Sequence, residues 1–381
     1  MPAGWRRNAW PAATWLLITL AGVQAEASTA DTIAAANAAS AHALAEDAAP
    51  ASDPDALFAN AELLELQFAG PIMAIASDGR PKPEEQSVTM TWTAADGTAA
   101  DMEIDVRARG KSRRDADKCA FPPLRLDIPR SRAAGTLFQN QDKLKLVTHC
   151  RPLGSRATGP RDWIALEYFA YRILNHVTEH SFRVRPLQVT YVAEDERRYR
   201  HPGFLIEDKD RMAHRLGLQI SDIERTEQQR LAPALTQIME VFQYAIGNTD
   251  FSFLVGPDGE RCCHNAVLMT AGMDASELIP VPYDFDITGI VNKPGSIPAA
   301  DLDIRYVTER RYRGFCRDPA HLDSAVARFV AVRADINAEL AALPGLSQRG
   351  REQAQAFLDD FYTTVTDAQL QRAALLDQCR S

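Results

Sequence analysis

The sequence predicts an α+β protein, with a β-rich first half that carries one packed helix and a mainly helical second half. Three observations carry that expectation. Short alternating or β-branched stretches recur from Leu63 to Val192, separated by Asp-Gly and Pro-rich turns. Beyond Glu227 the apolar positions switch to a helical period. The composition, 46% hydrophobic and 24% charged over 381 residues, suits a folded chain and excludes wholesale disorder.

The elements follow in order. Arg6 and Arg7 precede an apolar stretch, Trp10 to Val23, and small residues around Ala25 and Ala27 offer cleavage sites, so residues 1–25 read as a signal peptide. The apolar stretch is shorter than the roughly 20 residues that span a bilayer, and no later segment is long enough, so no membrane span is expected after cleavage. Residues 26–55, rich in Ala, Ser, Asp and Pro, read as a linker. A β-rich unit is expected over 56–207, with strands at Leu63–Phe68, Val88–Trp92, Met102–Arg107, Leu124–Ile128, Leu144–Thr148, Phe182–Val192 and Gly203–Glu207. A helix from Arg161 to about His176 interrupts them, with Trp163, Ala170, Ile173, Leu174 and Val177 on one face. A helical unit is expected over 208–381, with helices at Glu227–Ile246, Pro319–Ala342 and Gln348–Val365 and a short one from Thr366. The irregular stretch 247–317 lies among them, where a functional site is favoured.

A net charge of −9 argues against a general nucleic-acid binder, which needs a basic surface. Export to the periplasm or the medium would place six cysteines in an oxidising compartment, where they are disulfide candidates. The expected pairs are Cys119 with Cys150, and either Cys262 or Cys263 with Cys316. No HExxH or GxSxG motif points to a metallohydrolase or an α/β-hydrolase.

Three features carry candidate chemistry. Ile246-Gly247-Asn248-Thr249-Asp250 ends a periodic helix, so Gly and Asn would reverse the chain and leave Asp250 on a turn. In Pro282-Tyr283-Asp284-Phe285-Asp286, strand alternation would put Asp284 and Asp286 on one side, where a divalent cation such as Mg²⁺ would relieve their repulsion. Glu167 shares the inward stripe of its helix, and Lys145, between the apolar Leu144 and Leu146, is a candidate partner. The order of β-rich unit, inward lysine, helical glutamate, aspartate turn, asparagine and Asp-Phe-Asp is that of a two-lobed protein-kinase-like fold.

The chain resembles the spore-coat CotH-type atypical kinases over about residues 100–295. Arg109-Gly110-Lys111-Ser112 is similar to that family's Arg-Gly-Asn/Ser motif, and Lys143–Val147 to its Lys-bearing strand. Gly203-Phe204-Leu205-Ile206-Glu207, Ile246–Asp250 with Asn265, and Pro282–Asp286 resemble three further motifs, with Tyr283 where Trp is usual. The resemblance implies transfer of the γ-phosphoryl of ATP to a protein or glycan hydroxyl, with Asp250 catalytic. It implies Asp284 on Mg²⁺, assisted by Asn265 and Asp286, and Lys145 or Lys143 on the phosphates, held by Glu167. Arg109 and Lys111 would lie near the phosphates and Glu207 near the adenine or ribose. The alternative is an inactive kinase-fold protein that binds a cell-envelope partner.

Overall fold

Seven amphipathic strands wrap round a single apolar interior: β1 (Leu64–Ala69), β2 (Gln86–Thr93), β3 (Ala99–Ala108), β4 (Leu124–Asp127), β5 (Lys143–Val147), β6 (Val184–Val192) and β7 (Arg198–Ile206). The computed structural model describes residues 55–110, 112–155, 159–257, 260–272 and 276–380. The strands close into a barrel in the order β1-β2-β3-β4-β5-β7-β6. Antiparallel pairing runs from β1 round to β6, and a parallel β1–β6 pair, with Leu66 opposite Val189, closes it. Leu66, Phe68, Met90, Ile104, Leu126, Leu144 and Val189 alternate into the interior, as a two-residue period requires.

Two short helices, α1 (Ile72–Ala76) and α2 (Arg130–Ala133), and the long α3 (Gly159–Val177) interrupt the strands. After β7 come α4 (Lys209–Arg215) and α5 (Pro233–Ile246), then α6 (Pro319–Ala331), α7 (Arg333–Ala342), α8 (Gln348–Thr366) and α9 (Ala368–Ala374). A three-stranded antiparallel sheet, β8 (Gln219–Ile220), β9 (Ala266–Thr270) and β10 (Ile279–Pro282), lies among them in the order β10-β9-β8. A second apolar cluster joins α3, α5 and the C-terminal helices to this sheet. Glu339 on α7 locks α3 in place, accepting Arg172 Nε at 2.6 Å and contacting His176 Nε2 at 2.6 Å.

The two-lobed kinase-like expectation is overturned. The β-rich part is a closed mixed barrel, and a second small sheet is set among the helices. The closing β1–β6 pair joins strands more than a hundred residues apart in parallel, and no turn chemistry announces such a pair. Helix limits differ for local reasons. Pro233, pre-organised for a first helical position, starts α5 later than Glu227, after a 3₁₀ turn at Gln228–Arg230. The helix expected over Pro319–Ala342 breaks at Val332.

The expected leader lies outside the described residues, as does the linker except Asp55. Asp55 is buried, its Oδ1 accepting Gln141 Nε2 at 2.9 Å, so the fold begins inside the expected linker. The cysteines pair as Cys119–Cys150, Cys262–Cys263 and Cys316–Cys379. The first pair matches the expectation; the second corrects it, because two neighbours in sequence bond to each other and leave Cys316 to Cys379. Among the described residues no helix is long and apolar enough to cross a membrane.

Candidate active site

The acidic wall starts at the end of α5. Gly247 caps the helix in the left-handed region (φ 65°), and a Cβ there would lie 2.9 Å from the Phe357 ring and 3.2 Å from the Gly289 backbone. Only glycine fits both demands. Asn248 follows, buried, its amide donating to Gln243 Oε1 and its Oδ1 accepting the Asp250 N–H, each at 2.9 Å. Asp250 is thereby fixed on the turn. A bridge between Ser252 and His264 brings the two ends of this stretch together, with Asp250 beside Asn265. His264 Nε2 lies 2.7 Å from Asp250 Oδ1, while Asn265 Nδ2 donates to Asp250 Oδ2 at 3.1 Å and to its carbonyl at 2.7 Å. The His264 contact holds the Asp250 carboxyl below its ordinary pKa, and the same bond raises that of His264.

Asp284 and Asp286 follow β10, which ends at Pro282, so strand alternation does not orient them. Asp284 takes a left-handed backbone (φ 64°) and donates its N–H to the Tyr171 hydroxyl at 2.9 Å. Phe285 anchors the turn, packed against Tyr171 and Phe242 with ring centroids 4.5 and 5.1 Å away. Both carboxylates converge on one cation, the Arg113 guanidinium, 3.1 Å from Asp284 and 2.6 Å from Asp286. Lys293 adds a contact to Asp286 at 3.4 Å. Burial raises the Asp286 pKa and Arg113 opposes it. Burial also disfavours charge on Arg113, but Asp284, Asp286 and Glu167 together outweigh it and raise its pKa.

Among the described residues no three His, Cys, Asp or Glu side chains group as a metal site. The donor chemistry nevertheless fits Mg²⁺. That ion takes one or two carboxylates and fills its remaining positions with phosphate and water oxygens, and Asp284 and Asp286 already converge on the Arg113 guanidinium, with Lys293 on Asp286 as well. The Asn265 amide is engaged by Asp250.

These residues line one cleft of about 600 Å³ together with Arg109, Lys145 and Glu167. Lys145 is not held by Glu167: among the described residues no ion pair or hydrogen bond joins them. Its ammonium lies 5.9 Å from the Phe182 ring centre and 5.2 Å from that of Tyr283. Burial, then the nearby Arg109, lowers its pKa to about 8. Glu167, buried behind Arg113, has its pKa raised by that burial. Arg109 has no ion pair or hydrogen bond to its side chain among the described residues, and burial lowers its pKa.

Two expected contributors lie elsewhere. Glu207 is buried away from the cleft, accepting Arg215 Nε at 3.0 Å and the Arg183 N–H at 3.0 Å, so it structures the entry to α4. Lys143, exposed on β5, lines an adjoining groove. Lys111 lies outside the described residues. Sequence reasoning missed Arg113, Tyr171 and His264. The Glu167–Tyr171 spacing of four on one helix was a signal for the second, and the neighbouring Asn265 for the third. No protein-family model matches the chain, and no curated protein matches it.

Proposed function

We propose that the chain is an exported atypical kinase of CotH type that transfers a phosphoryl group from ATP to a hydroxyl of a protein or glycan. The observation that carries this reading is the single cleft round which Asp250, Asp284, Asp286, Arg109 and Lys145 gather. Phosphoryl transfer asks a protein mainly for positioning and for charge around the phosphoryl oxygens. Asp250, kept ionised by His264, orients the acceptor hydroxyl and takes its proton. Arg109 and Lys145, with no carboxylate bonded to them, receive the phosphate oxygens. Asp284 and Asp286 would hold Mg²⁺, which supplies neutralisation of phosphate charge when bound.

One observation favours an inactive, binding-only relative: Arg113 already bridges the two aspartates. Melting with and without millimolar Mg-ATP separates the readings, since a ligand bound only by the native state stabilises it. The active reading expects a raised melting temperature that Asp284→Ala abolishes, and ADP release that Asp250→Asn abolishes. An unshifted wild type would sink it.

A further inference from the structure

Outside the cleft, the barrel's outer face carries an unusual row of like charges. Strand register sets Arg107 directly opposite Arg125, and Arg125 directly opposite Lys145, across three neighbouring strands. Directly opposed like charges destabilise a sheet, so the row is costly unless something compensates it. Acids compensate only part of it, Asp127 standing directly opposite Lys143 and near Arg125. Glu85 approaches Arg107 at 3.3 Å, and Asp208 is the one acid among the groove's described lining residues. The groove encloses about 370 Å³, and its described lining residues include six cations, the row plus Arg109, Arg114 and Lys143. Arg125 Nε is buried with no hydrogen-bond partner among the described residues. The groove shares Arg109, Gly110 and Lys145 with the cleft, so the two run into one another.

We infer that this groove binds a linear condensed phosphate chain, whose end reaches Arg109 and Lys145 at the mouth of the cleft. Spacing favours that ligand over an acidic peptide. The cationic row advances by one strand, about 4.8 Å, per step, whereas side chains on one face of an extended peptide recur about every 7 Å. A chain of phosphates joined through single bridging oxygens offers a charge at every link, dense enough to meet each cation. Arginine forks suit such oxygens. Binding in the groove stands by itself; the chain's use as a phosphoryl donor rests on the transfer reading above.

Isothermal titration calorimetry of the full chain tests the inference, with inorganic tripolyphosphate, a long linear polyphosphate and poly-glutamate as probes. The long chain should bind about tenfold more tightly than tripolyphosphate, because only it spans the row, and Arg125→Gln should remove about that factor. Arg125→Lys should keep most of the affinity, and melting curves check that both variants fold. Equal affinity for the two phosphates, a folded Arg125→Gln within about twofold of wild type, or tighter binding of poly-glutamate would each overturn it. Asp250-dependent transfer from Mg-ATP without long-chain binding would sink the groove and leave the transfer reading. Long-chain binding without transfer from any donor would do the reverse.

Discussion

At one end of the joined groove and cleft, Asp250, Asp284 and Asp286 each have a cationic or imidazole partner within 3.1 Å. At the other, Arg109, Lys143 and Lys145 have no ion pair among the described residues, and Arg107 and Arg125 face each other. Both ends are partly buried, so the contrast is not one of solvent access. Neutralised acids stabilise the unliganded fold, whereas a positive row compensated only in part stores unfavourable energy that an arriving anion would release. The basic end is therefore where binding energy is concentrated, and the acidic end is held ready.

The contrast breaks most visibly at Asp250. Asp250→Asn should lower the rate of phosphoryl transfer about a thousandfold, the scale of a lost general base, with little loss of stability; a normal rate would remove Asp250 from the chemistry. Next in size is Arg113→Ala. It strips the shared cation from two carboxylates and should destabilise the protein by about 3 kcal/mol in denaturant melts. The same variant should lose less stability when Mg²⁺ is present, if that ion takes the vacated charge. A smaller effect belongs to Lys145, which faces Arg109, Asp208, Asp284 and Lys209. Its folded pKa of about 8 lies below its ordinary value, so its charge, and with it part of the tripolyphosphate affinity, is lost as pH rises through about 8. For the same reason stability rises with pH between that value and the ordinary one, because the unfolded chain then binds the extra proton. Calorimetry across that window should show affinity falling, and Lys145→Met should flatten the profile. The smallest effect has the opposite sign. Arg125→Gln should raise the stability of the unliganded protein by about 0.5 kcal/mol, since it removes a like charge from the middle of the row. Unchanged melting would mean that the row is not costly.

Legibility of the sequence followed the range of the interactions. Strands and helices with a clean period, such as Leu64–Ala69 and Gly159–Val177, were readable within a residue or two. Barrel closure was not, because the β1–β6 pair depends on distant segments meeting in parallel. At the site, the turn after α5 announced itself by Gly247 and Asn248, and Asp284 by its Asp-Phe-Asp repeat. The partners were hidden: Arg113 comes from a 3₁₀ turn that reads as a solvated basic loop, and it reaches Asp284 across 171 residues. The Lys145–Glu167 pairing failed because Lys145, alternating with the interior Leu144 and Leu146, lies on the outer face of the barrel and reaches the cleft without meeting Glu167.

The Cys119–Cys150 bridge fastens the far end of the loop that delivers Arg113, closing a separation of 31 residues. Such a tether is worth about 3–4 kcal/mol against the unfolded chain. Reduction of the bridge would remove that restraint and loosen the arginine clamp, so the geometry round Arg113 is expected to be sensitive to the redox state of its surroundings.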